Sequence, residues 1–247
     1  MLRRPGHDWP LILAANRDEM VARPWLPPAR HWPDRPEVVA GCDELAGGSW
    51  LGLNDFGVVA GVLNRHGSLG PAPGRRSRGE LVLEALDHAD SRAAAEALSA
   101  LEPKAYRTFN LIVADNRDAY WLRHADPSGS LPISVTPIGA GLSMIAAGDL
   151  DDGATPRLKH YRPRFAAAAP PDPDRGDWSD WERLLLDEGA GAHDESARAM
   201  RFLTDRGFGT VSSALIALPS PERGDQTPRF RFAAHHPRPE GWHDIVA

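Results

Sequence analysis

The sequence has a single cysteine, Cys42, in 247 residues. No internal disulfide can form, so the stapled scaffold of a small secreted protein is excluded and a reducing compartment fits. No apolar run approaches the roughly 20 residues of a membrane-spanning helix, and Met1-Leu-Arg-Arg-Pro lacks the apolar centre of a signal peptide. The cytoplasm is therefore the expected location. Basic residues are not in excess: 28 Lys and Arg against 34 Asp and Glu give a net charge of -6, which argues against a broad nucleic-acid surface. Repeats are missing, as is any linker long enough to separate domains, so a single domain over 1–247 is expected. The oligomeric state is left open.

What is present suits a folded core. Apolar residues make up 42% of the chain and charged residues 25%, as in ordinary globular proteins. The organising stretch is Pro10 to Glu19, an apolar run that ends in Asn16-Arg-Asp-Glu19. Alternation puts Leu11, Leu13, Ala15 and Arg17 on one face and Ile12, Ala14, Asn16 and Asp18 on the other. A strand apolar on both faces is normally covered on both, so its polar tip reads as the place where a layered core meets solvent. A polar turn leaving a strand is the alternative. Arg3 to Asp8 reads as a hairpin turn whose first arm is incomplete, because only Met1 and Leu2 precede it.

Arg23 to Pro33 reads as an ordered loop, with proline against regular structure and Trp25 and Trp32 as anchors. Val38 to Asn64 reads as a glycine-rich hairpin turning at Asn54-Asp-Phe-Gly57. Ser77-Arg-Gly-Glu80 has capping-box spacing ahead of a helix over about 78–89, and a second helix over about 91–101 stops before Pro103. Phe109 to Asp115 and Ala119 to Arg123 form a second hairpin, and Ile133 to Ala147 adds one or two strands. Thr155-Pro156 opens a helix to about Ala168, Trp178 to Asp187 forms a short one, and Gly209–Leu218 with Arg229–Ala234 closes the chain as a third hairpin. The pattern is α+β with mainly antiparallel sheets.

Five stretches together resemble one family: Leu11 to Glu19, Ala46-Gly-Gly-Ser-Trp-Leu-Gly-Leu-Asn54, Arg76-Ser-Arg-Gly-Glu-Leu81, Phe109-Asn-Leu-Ile-Val-Ala-Asp115 and Gly207-Phe-Gly-Thr-Val-Ser-Ser213. The chain is identified by them as a member of the NRDE-motif family, typified by the transport and Golgi organisation protein 2. The resemblance implies an N-terminal-nucleophile-hydrolase-like αββα sandwich and, with it, hydrolysis of an amide or acyl transfer on a small molecule. In such chemistry a thiolate attacks the carbonyl, its own α-amine moves protons, and amides stabilise the oxyanion. Arg17, Asp18 and Asn64 are then the candidate catalytic residues. Asn64 ends Ala60-Gly-Val-Leu-Asn64, which is similar to an oxyanion-hole segment of the cysteine enzymes. The other implied function is a carrier of an apolar ligand such as haem, an acyl-CoA or a lipid.

Each candidate has a plainer reading beside it. Arg17 also reads as a buried structural arginine paired with an acid, and Asn64 as a turn residue. Asn16, Glu19, Arg76 and Arg78 are candidate ligand-binding residues. Arg75, Arg76 and Arg78 precede a helix start and suit phosphate or carboxylate, or form a solvated basic loop. Asn16, Arg17, Asp18 and Asn64 all stand at polar limits of apolar runs, which predicts one shared pocket. The family usually has arginine where Cys42 stands and threonine where Ser49 stands, and Cys42 reads as an inert thiol. The family also begins with Met-Cys and an apolar strand, so the native start is expected upstream of Met1. Neither Asp149-Leu-Asp-Asp152 nor His235, His236 and His243 has convincing ligand spacing, so no metal and no cofactor are expected.

Overall fold

The computed structural model describes residues 1–189, 199–224 and 226–246. In chain order the strands are β1 (Leu2–Arg3), β2 (Leu11–Met20), β3 (Trp25–Ala29), β4 (Val38–Asp43), β5 (Leu51–Asn54) and β6 (Val59–Asn64). Helices α1 (Gly79–Leu86) and α2 (Ser91–Ser99) follow, then a 3-10 turn at Pro103–Ala105, β7 (Phe109–Ala114), β8 (Ala119–His124), β9 (Ser134–Pro137) and β10 (Gly141–Leu142). The chain continues through α3 (Pro156–Ala167), α4 (Ser179–Leu185), β11 (Phe208–Leu218), β12 (Arg229–Ala234) and β13 (His243–Ile245). The fold is α+β, and every strand pairing among the described residues is antiparallel. Its contacts divide it into two compact units.

The first unit comprises Met1–Pro24, Ala140–Ile145 and Leu150–Val246. Its sheet has the order β10-β1-β2-β11-β12-β13. β1 and β2 form the hairpin expected around Arg3 to Asp8, with Leu2 opposite Ile12. β2 lies at the centre and pairs along its whole length with β11, from Leu11 opposite Leu218 to Met20 opposite Phe208. Leu11, Ile12 and Leu13 are all buried, so both faces of this strand are covered as its apolar run requires. One face holds Ile12, Leu215 and Ala217 against Tyr161, Phe165, Trp178, Trp181, Leu184 and Leu185. Phe165 meets Trp181 edge to face at 5.2 Å, the geometry that aromatic quadrupoles favour.

The second unit comprises Trp25–Gly139 and Ala146–Asp149. Its seven strands follow the chain in strict order, β3 to β9. α1 and α2 lie on one face. Leu81, Val82, Ala85 and Leu86 recur at one helical stripe and α2 adds Ala94, Ala95 and Leu98. They pack on Val38, Ala40, Val58, Ala60, Leu111, Val113 and Leu122, an almost wholly aliphatic core. The helices run shorter than their patterns suggested. Asp90 caps α2 by accepting from Ala93 N.

Two local expectations are corrected. The proline-rich loop contains β3, an edge strand whose pairing with β4 is irregular between Leu26 and Ala29. Pro27 and Pro28 sit within that irregularity, where a missing N–H interrupts no central ladder. The capping box does not form: Arg78 is the cap residue of α1, Ser77 Oγ accepts from Gly79 N, and Glu80 bonds Arg76 instead. The reason is a backbone contact between two motifs. A Cβ on Gly48 would lie 2.5 Å from the Gly79 carbonyl carbon, and Ser49 N donates to Gly79 O at 3.1 Å. The helix start is fixed by that close approach.

Candidate functional site

The polar tip of β2 divides its side chains between two faces. Asn16 and Asp18 lie on the face that carries the helices. Asn16 Nδ2 donates to Leu185 O at 2.9 Å and to Met200 O at 2.8 Å, tying the end of α4 and the segment before β11 to the central strand. Asp18 accepts from Thr210 Oγ1 at 2.8 Å and from Arg157 Nη1, on α3, at 2.9 Å. Arg17 points to the opposite face by alternation, with Leu13 and Ala15, and is 8% exposed. Glu19 is half-buried, accepts from Met20 N at 2.8 Å and pairs with Arg23 at 3.7 Å. Asn16 and Asp18 therefore do not share a side of this sheet with Arg17, which corrects the expectation that these neighbours line one pocket.

Asn16 also ends a buried relay. Ser213 Oγ donates to Asn16 Oδ1 at 2.6 Å, and Ser213 Oγ and His235 Nε2 are 2.8 Å apart. Asn16 Oδ1 can only accept, so the one Ser213 hydrogen goes to it and His235 Nε2 carries its own hydrogen. Burial, followed by the charge of Arg201, pushes His235 down to about 4, and the ring is neutral at pH 7. His235 thus donates to Ser213 and does not draw a proton from it. This arrangement braces the sheet and is not a base-activated serine.

In the second unit, three asparagines behave differently. Asn54 is fully buried: its Nδ2 donates to Leu86 O and His88 O, and its Oδ1 accepts from Phe56 N and Val58 N. Asn110, equally buried, accepts from Arg65 Nη1 at 2.7 Å and Trp121 Nε1 at 3.1 Å and donates to Ala146 O and Gly148 O. Asn64 is half-buried at the end of β6, opposite Phe109, and enters none of these bonds. It continues the row of Ala60 and Val62, which packs on the α1 side. Arg65 beside it bonds Asp149 at 2.6 Å, and Arg123 reaches the same carboxylate oxygen at 3.3 Å.

The arginines ahead of α1 are occupied. Arg76 bonds Glu80 and Glu84, both at 2.7 Å. Arg78 donates to Ser68 Oγ at 2.9 Å, Thr108 O at 3.2 Å and Gly70 O at 3.3 Å. The first amides of the helix are engaged as well, Gly79 N with Ser77 Oγ, Glu80 N with Ser77 O and Leu81 N with Arg78 O. Any anion here would meet guanidinium groups and not a bare helix end.

Cys42 is half-buried, and burial with the charges of Asp43 and Glu44 pushes its thiol up. It stays protonated at neutral pH, which makes it a poor nucleophile. The acidic run is committed elsewhere: Asp149 to the two arginines, Asp151 to Met144 N and Arg162, and Asp152 to Ala154 N and Thr155. His243 packs on Phe232, away from the bond His235 makes. Among the described residues no group of three His, Cys, Asp or Glu side chains is placed to hold a metal ion.

Thr210, Ser213, Arg157, Arg65 and Asn110 were not singled out as site residues from the sequence, and His235 was weighed only as a metal ligand. Asn110 carried a usable signal, a polar residue interrupting Phe-Asn-Leu-Ile-Val. Thr210 and Ser213 lie in Gly207-Phe-Gly-Thr-Val-Ser-Ser213, whose glycines also have a cause. A Cβ on Gly209 would lie 2.4 Å from Phe202 O. The motif at the end of the chain and the motif on β2 are thus two halves of one bonded unit.

Comparison with known proteins agrees with these elements. Penicillin V acylase from Agrobacterium tumefaciens is similar in structure, with a TM-score of 0.53, 14% identity and coverage of 95% of this chain and 82% of that one. The fold is accordingly N-terminal-nucleophile-hydrolase-like. The mouse Transport and Golgi organization 2 homolog is 36% identical over 143 residues, covering 54% of this chain and 50% of the relative. The human homolog is 37% identical over 145 residues with the same coverage. The chain spans about half the length of the curated relatives it matches. The family model described as Transport and Golgi organisation 2 matches residues 1–171, more than half of the chain, and the chain belongs to that family.

Proposed function

We propose that this protein, acting as one domain, hydrolyses an amide or transfers an acyl group on a small molecule, with Arg17 holding negative charge that develops on the reacting group. The observation that carries the reading is a guanidinium only 8% exposed on the central strand of a fold similar to that of a penicillin V acylase. A buried guanidinium presents several donors in a fixed fork and remains charged, which suits a thiolate or a tetrahedral oxyanion. Asp18 is a positioning residue, fixing the strand tip through Thr210 and Arg157. Asn16 and Glu19 hold the strand end that presents Arg17.

A second reading is a cytoplasmic carrier of an apolar ligand such as haem or an acyl-CoA. One observation favours it: the raised Cys42 thiol and the relay at Ser213 give neither group an activating base. The purified protein, presented with a panel of N-acyl amides and acyl thioesters, separates the two. Release of free amine or thiol above the uncatalysed rate supports the enzyme. Saturable binding without product supports the carrier, and neither turnover nor binding across the panel overturns both.

A further inference from the structure

We propose that the loop from Gly67 to Arg78, with Lys104 and Arg107, forms a binding site for the phosphate or pyrophosphate group of a small molecule. This site stands independently of the proposed reaction. Arg75 donates to the main-chain carbonyls of Lys104 and Tyr106. Arg107 donates to the carbonyls of Gly67, Leu69, Gly70 and Pro71, the first two at 2.8 Å and 2.6 Å. The Gly70 carbonyl accepts from Arg107 Nη1 and Arg78 Nη2, both at 3.3 Å, so two guanidinium groups converge on one oxygen. Among the described residues neither Arg75 nor Arg107 meets a carboxylate.

That pattern contrasts with many of the other arginines. Arg30, Arg35, Arg65, Arg76, Arg157, Arg162, Arg164, Arg223 and Arg231 each bond an Asp or Glu. In a chain of net charge -6, Arg75 and Arg107, answered by carbonyl dipoles, leave a local excess of positive charge. Like charges so close favour a multivalent anion between them, and guanidinium forks match phosphate oxygens in pairs. Gly70 and Gly74 take φ of 77° and 71°, with open space where a Cβ would stand. The backbone there can be approached closely by a ligand.

The test is an NMR titration of the full chain with pyrophosphate, inorganic phosphate and acetate at constant ionic strength. Pyrophosphate is expected to bind most tightly, shifting amides of residues 67–78 and 104–107. Affinity should fall about tenfold or more in Arg107→Gln and less in Arg107→Lys, which keeps the charge without the fork. Shifts confined to other regions of the chain would overturn the proposal whatever the variants do. Equal, non-saturating responses to all three anions would overturn it too, because they report ionic strength alone.

Discussion

The seven-stranded sheet is assembled from strands that follow one another in sequence, whereas the six-stranded sheet depends on β2 meeting β11 across almost the whole chain. The polar bonding follows the same division. Asn54 reaches Leu86 and His88, and Arg107 reaches Gly67 to Pro71. Asn16, by contrast, joins Leu185, Met200 and Ser213, and Asp18 joins Arg157 and Thr210. The first unit therefore relies on a few half-buried polar side chains to fix distant segments, over a core rich in aromatic rings. The second relies on pairing of successive strands over an aliphatic core, to which Asn110 and Arg65 tie the segment at Ala146 to Asp149. Polar substitutions should accordingly be felt more in the first unit.

The largest effect is expected at Arg17, which the fold buries and holds. Arg17→Ala should cost about 3–5 kcal/mol in denaturant unfolding, since it leaves what Arg17 interacts with buried and uncompensated. An unchanged midpoint would remove Arg17 from the structural side of the comparison. Asn16→Ala comes next, at about 2–3 kcal/mol, because two buried carbonyls and the Ser213 hydroxyl lose their partner together. A cost below that of an ordinary surface change would show that the long-range bonds do not hold the unit.

Acid should weaken the first unit through His235. Its folded value of about 4 lies below the ordinary 6.5, so between them the unfolded chain binds more protons than the folded one. Stability should then fall by about 1–2 kcal/mol as pH drops through that window, allowing for partial screening. His124 is shifted the same way by burial, so His235→Gln should reduce the slope without abolishing it. A thermal midpoint flat across this range would contradict the neutral relay. Asn64→Ala should be the mildest change, within about 0.5 kcal/mol, and a loss as large as that of Asn16→Ala would place Asn64 among the structural asparagines.

The same division governs what could be read from the sequence. Phe109 to Ala114 and Ala119 to His124 alternate, pair and turn within a short span, so their hairpin was legible. So was the double burial of β2, because its apolar residues fill both faces. The pairing of β2 with β11 was not: no local rule links Asn16 to Ser213, and only the fold brings them together. β3 was hidden by its prolines and β13 by its brevity at three residues. At the candidate site, residue types were legible but not their commitments. Arg76 looked available for a ligand until its two carboxylate partners were in place.

The claim at the centre is that the Asn-Arg-Asp-Glu tip divides its labour, Asn16 and Asp18 holding the sheet and Arg17 serving the reacting charge. The most direct measurement is kcat/KM for Arg17→Lys on whichever N-acyl amide or thioester the native protein turns over, with the thermal midpoint followed in parallel. Lysine keeps the buried charge but loses the guanidinium fork, so the account predicts a rate lowered by about 100-fold with a midpoint near that of the native protein. Full activity in a stable Arg17→Lys protein would contradict it.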